Sequence, residues 1–100
     1  ILLEKLGMNV DPYSVVEKGS KNLHAVKKVI LNNSKNTIKI SNFTTPLISI
    51  GKGKILEFDN KFEKLSDGIS YVLYNNVWGT NFPLWYEENA RFEFLIGVEK

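Results

Sequence analysis

Two carboxylates on one face of a strand can divide acid and base work, and Glu57 and Asp59 stand two apart in a predicted strand. Their spacing suits the ~5–5.5 Å separation that retaining glycoside hydrolysis uses. The same placement describes an ordinary solvated strand edge, and that reading is preferred. Glu87 and Glu88 are adjacent and point apart in extended chain. Glu93 lies between Phe92 and Phe94, so it should face outward beside Arg91, where an ion pair contributes little. His24 is the single histidine; it could serve as a general base, but it has no sequence-local partner and reads as structural or exposed. The chain has no Cys, which excludes a disulfide framework, a thiolate metal site and a cysteine nucleophile. With one His it also excludes a multi-histidine metal site. No Gly-x-Ser-x-Gly elbow is present. Gly51-Lys52-Gly53-Lys54 lacks the spacing of a phosphate loop and the helix that would follow one, so it reads as a hairpin turn. No catalytic residue and no metal ligand is therefore assigned.

The residues that could bind rather than react are concentrated in one stretch. A long loop is predicted from Asn75 to Asn89, and it holds both tryptophans, Trp78 and Trp85, with Phe82 and Tyr86 beside them. Exposed apolar rings are costly, so they should be buried against the domain's own core, a neighbouring domain or a ligand. A flat aromatic face matches the C–H face of a sugar ring, and an Asn side chain offers a donor and an acceptor to a pair of hydroxyls. Trp78, Asn81, Trp85 and Tyr86 are the substrate-binding candidates, with Asn75 and Asn76 nearby. Gly79 and Pro83 read as backbone-shaping residues.

What must position that loop is a β-framework. One hundred residues make one domain or part of one, and 43% apolar content is enough for a packed core. Leu2, Leu3 and Leu6 have a short helical spacing that stops at Gly7, and Asp11-Pro12 reads as a helix start for Tyr13 to Lys18, ended by Gly19. From Leu23 onward the pattern changes. Leu23–Leu31 is β-branched, Asn32–Asn36 is a turn cluster, and Thr37-Ile38-Lys39-Ile40-Ser41 alternates with both isoleucines on one face. Further strands are predicted at Leu47–Ile50, Lys54–Phe58, Ile69–Tyr74 (central in its sheet, since both faces are apolar) and Arg91–Ile96. Residues 1–22 are thus expected as a loop with a short helix and residues 23–100 as a β-domain. The predicted class is mainly β, an antiparallel β-sandwich with a short N-terminal helical segment.

Charge and patterning narrow the partners. A net charge of +2 gives no lopsided field, and the local basic clusters Lys27-Lys28 and Lys52 with Lys54 are distant in sequence from the aromatic loop, so no nucleic-acid partner is expected. No apolar run approaches the ~20 residues of a membrane span. Asn32-Asn33-Ser34 and Asn42-Phe43-Thr44 fit the glycosylation sequon, but such matches arise by chance in an Asn-rich chain. The apolar start Ile1-Leu2-Leu3, with no positive segment before it, suggests a piece of a longer protein. Absence of Cys and of a leader suits a bacterial cytoplasm.

The segment Asn75-Asn76-Val77-Trp78-Gly79-Thr80-Asn81-Phe82, followed by Arg91-Phe92-Glu93-Phe94, resembles the C-terminal β-region of glycoside hydrolase family 38, the α-mannosidase-type enzymes. Ile40-Ser41-Asn42-Phe43-Thr44-Thr45-Pro46-Leu47-Ile48 is similar to the segment that precedes it there. Asp11-Pro12, Gly19-Ser20 and Leu23-His24 resemble the upstream region of an uncharacterised bacterial glycosyl hydrolase-like subgroup. The resemblance implies a zinc-dependent catalytic domain upstream in the same chain, carrying the metal ligands and the nucleophile. This chain would be its non-catalytic terminal β-module, with no cofactor of its own. It would support the catalytic domain and shape its sugar site. A stand-alone carbohydrate-binding module and a protein-interaction module are the alternatives.

Overall fold

The computed structural model describes residues 1–53, 60–73 and 91–100. Their strands are β1 (Leu2–Lys5), β2 (Met8–Val10), β3 (Leu23–Ala25), β4 (Lys28–Asn32), β5 (Thr37–Asn42), β6 (Leu47–Ile50), β7 (Ile69–Tyr71) and β8 (Phe94–Glu99). They form two sheets, ordered β2-β1-β4-β5-β8 and β3-β6-β7, and every neighbouring pair is antiparallel. The protein is mainly β, as the alternating pattern predicts. Among the described residues the helical content is one 3₁₀ turn, Leu65–Asp67.

The short N-terminal helix is not there. Asp11 does not cap a helix: its Oδ1 accepts a hydrogen bond from the Tyr13 amide at 2.9 Å, and its carbonyl accepts from Ser14 at 3.1 Å. That is an Asx turn, the other use to which an Asp-Pro start can be put. The Gly19 amide closes a second turn onto the Val16 carbonyl. The stretch between them is short for a helix nucleus and contains the β-branched pair Val15-Val16.

Leu2, Leu3 and Leu6 are not helical either. They belong to a β1–β2 hairpin whose two-residue turn, Leu6-Gly7, has φ of 51° and 81°. Such a turn needs both central residues in the left-handed region, because only that twist matches the strands. Gly7 was a turn residue rather than a helix stop. β1 lies inside the larger sheet, between β2 and β4, so residues 1–22 supply an interior strand instead of a loop.

The predicted strand Leu23–Leu31 divides into two. At Val26-Lys27 the chain leaves the smaller sheet as β3 and enters the larger one as β4. The Val26 amide bonds to the Pro46 carbonyl at 2.7 Å, and the Lys27 amide bonds to the Glu4 carbonyl at 2.9 Å, so each side of the crossing is satisfied by a different strand system. The β4–β5 turn is organised by Asn33, whose Oδ1 accepts from the Lys35 and Asn36 amides. Among the described residues β7 pairs with β6 alone and β6 is central; the predicted strand Lys54–Phe58 and Tyr74 lie outside the described residues. β6 holds the middle because Ile48, Ser49 and Ile50 are buried on both its faces.

Register places the core. Val10, Leu3, Val29, Ile40 and Ile96 stand in one row across all five strands of the larger sheet. Leu31, Ile38 and Val98 flank it on the same face on one side, and Asn42 and Phe94 on the other. The opposite face carries Glu4 with Lys28 (3.9 Å) and Lys39 with Glu99 (3.0 Å). Leu3 and Val29 are fully buried together with Ile48 and Ile50 of β6, and Val26 closes this core. Gly51, at the end of β6, has φ of +74°, and a Cβ there would lie 2.5 Å from Glu63 Cβ and 2.9 Å from the Lys64 carbonyl oxygen, so no side chain fits.

Candidate functional site

Alternation puts Lys5 on the same face of β1 as Leu3, where an apolar side chain would be expected. Its ammonium reaches across to the smaller sheet and donates to His24 Nδ1 at 2.9 Å. His24 sits in register with Ile48 and Tyr71, so its ring is buried by the same packing that buries Ile48. Because Nδ1 accepts from an ammonium, the proton of the neutral imidazole is on Nε2. Nε2 is buried and has no hydrogen-bond partner among the described residues.

The electrostatics agree with a neutral ring. Burial holds the His24 pKa below its ordinary value, the Lys5 charge pushes it the same way, and the Lys21 carbonyl opposes them. Burial also lowers Lys5. With one nitrogen capped by an ammonium and the other enclosed, His24 has no free lone pair to offer a substrate or a metal ion.

Beside this pair, Asn42 fastens two pieces of chain. Its Nδ2 donates to the Val26 carbonyl at 2.9 Å and to the Thr45 carbonyl at 2.6 Å, tying the β3–β4 crossing to the β5–β6 connection. Asn42 Oδ1 and the Thr45 hydroxyl are buried without a hydrogen-bond partner among the described residues. An open cleft of about 940 Å³ lies here, walled by the Leu6-Gly7 turn, by Ala25–Lys27 and by Asn42–Pro46. Lys5 and Lys27 bring its charge, and Leu6 and Phe43 its exposed apolar rim.

Sequence reasoning missed this cleft. A lysine in a strand reads as solvent-facing, and the partner of His24 is 19 residues away in sequence. Of the adjacent Lys27 and Lys28, Lys28 meets Glu4 on the outer face, while Lys27 lines both the cleft and a smaller hollow that it shares with Glu4 and Lys28. Asn42 is buried and its amide is already used twice, so the sequon Asn42-Phe43-Thr44 is closed to glycosylation in the folded chain. Glu93 does pair with Arg91, at 2.8 Å and exposed. Glu57, Asp59 and the binding candidates Trp78, Asn81, Trp85 and Tyr86 lie outside the described residues. No group of three or more His, Cys, Asp or Glu suited to a metal ion occurs among the described residues. No described helix is long and apolar enough to cross a membrane.

Comparisons with protein families, with curated proteins and with solved structures find no match to this chain.

Proposed function

We propose that this chain is a non-catalytic β-sandwich module of a larger α-mannosidase-like glycoside hydrolase, with an upstream catalytic domain of the same protein as its partner. The observation that carries the reading is the exposure of a face built as core. Among the described residues, Ile96 and Val98 continue the apolar rows of the larger sheet, yet they are 64% and 60% exposed. Contiguous apolar surface of this kind is what a domain leaves uncovered when it is made to pack on another. The module would support the catalytic domain, and Trp78, Asn81, Trp85 and Tyr86 would lend contacts to its sugar site. The zinc that the family resemblance implies would be held upstream, because the described residues do not fit it: the one His has no available nitrogen and there is no Cys.

The test is hydrolysis of an aryl α-mannoside by residues 1–100 alone and by the product of the complete reading frame, each with and without added zinc. The expected result is no turnover by the module and zinc-dependent turnover by the complete product. Turnover by residues 1–100 that is lost on changing Glu57 or Asp59 would overturn the proposal.

A further inference from the structure

The cleft at the Lys5 end of the core has no part in the proposed docking role, and its composition is selective. We propose that it is a binding site for an organic carboxylate whose body presents a flat apolar face, with Lys5 and Lys27 taking the carboxylate and Phe43 taking the body.

Three observations converge on this. The first concerns charge. Lys5 lies on the core face at the end of β1 and is partly buried, so partial desolvation disfavours its charge unless an acceptor answers it. The group it meets is a neutral imidazole, and no carboxylate lies within ion-pair distance of Lys5 or Lys27 among the described residues. The nearest acid by sequence, Glu4, is on the opposite face of β1 and is engaged with Lys28. Among the described residues the cleft therefore carries two lysines and no carboxylate paired with either.

The second concerns the walls. Leu6, Val26, Phe43 and Pro46 give the cleft an apolar lining, and Phe43 is 64% exposed. A ring or chain laid along these groups removes apolar surface from water on both partners. The volume is within the range of small-molecule sites. The third concerns what remains polar. The lining includes Asn42, Thr44 and Thr45, which suit one or two hydroxyls or the second carboxylate oxygen.

These features disfavour other ligands. A cation would meet two lysines. Inorganic phosphate is strongly hydrated and is usually held by arginine forks or clustered backbone amides, and the lining has no Arg. A neutral sugar would leave the lysine charge unanswered. Aromatic acids and sugar acids both carry the required pair of features, a carboxylate and a flat C–H or π face.

The experiment is a titration of the 100-residue chain, followed by backbone amide chemical shifts, with sodium benzoate, sodium glucuronate, benzamide and sodium phosphate as separate probes. Saturable shifts confined to Lys5, Ala25–Lys27 and Asn42–Thr45 are expected from benzoate, glucuronate or both, and which of them binds tighter separates an aromatic-acid site from a sugar-acid site. Benzamide and phosphate should bind at least about tenfold more weakly. Lys5→Met should weaken the carboxylate by about tenfold or more, Lys5→Arg should retain most of the affinity, and Phe43→Ala should weaken binding without abolishing the charge preference. Lys35→Met, in the distant β4–β5 turn, should change nothing. Benzamide binding as tightly as benzoate, an unchanged affinity in Lys5→Met, or no saturable shift by about 50 mM of either acid would each overturn the proposal.

Discussion

The two ends of one apolar row behave differently. Leu3 and Val29 are fully buried, whereas Ile96, two strands further along the same row, is mostly exposed. Strand alternation is identical at both ends. The difference is cover: Ile48 and Ile50 of β6 share one buried cluster with Leu3 and Val29. At β8, among the described residues, the smaller sheet's contact is at Phe94, whose ring stands 4.7 Å from that of Tyr71, while Ile96 and Val98 are exposed. Register decides which side chains share a face; what lies on that face decides how much each contributes. A row of equivalent-looking aliphatic residues therefore divides, among the described residues, into a buried half and an exposed half.

Substitutions should reproduce this division. The largest effect is expected from truncation at the covered end: Leu3→Ala or Ile48→Ala should cost about 2–5 kcal/mol in urea unfolding, as buried Leu and Ile do. Ile96→Ala in the same assay should cost less than about 1 kcal/mol, since much of its surface is already in water. Similar losses at the two ends would remove the distinction.

A second effect should appear on acidification. The folded-state pKa of His24 is depressed, so the unfolded chain binds the more protons as pH falls below the ordinary histidine value. Stability should be fully present above about pH 6.5 and should decline as pH falls through the lowered folded-state pKa. Imidazole chemical shifts should report that lowered value directly. In Lys5→Met the value should move upward, because one of its two depressing causes is gone, but burial should keep it below the unfolded one. An unshifted His24 would mean that the covered end is open to water.

The smallest effect is at the hairpin that begins the covered end. Leu6 is a β-hairpin turn residue held at φ of 51° with its side chain in solvent, so Leu6→Asn or Leu6→Gly should stabilise by roughly 0.5–1 kcal/mol. The same change should weaken ligand binding in the cleft only through the lost apolar rim.

Much of the framework was legible because its signals are local. Thr37–Ser41 alternates cleanly, the Asn33 turn is written in a run of turn-forming residues, and Leu47–Ile50 is a compact aliphatic strand behind Pro46. The N-terminal strands were not legible because their signals are ambiguous. A Leu-Leu-x-x-Leu spacing before a Gly fits a helix end and a tight hairpin equally well, and Asp-Pro begins helices and Asx turns alike. The tertiary pairing of β1 with β4 selects the strand, and no local pattern carries that choice. The Lys5–His24 contact was illegible for a related reason: a lysine on a core face becomes visible once the register of β1 is known. The aromatic segment that drew most attention in the sequence lies outside the described residues, so its part in the sugar site stays with the proposal.

The most direct test of the modular role is a single charge placed on the exposed end of the row and measured twice. Ile96→Lys should be nearly neutral, within about 0.5 kcal/mol, in urea unfolding of residues 1–100, where the side chain faces water. If the proposed docking holds, the same change in the product of the complete reading frame buries a lysine against the proposed catalytic domain, costing about 2–4 kcal/mol or releasing the module from that domain in limited proteolysis. An equal, small effect in both proteins would show that β8 faces solvent in the whole molecule and would contradict the docking role.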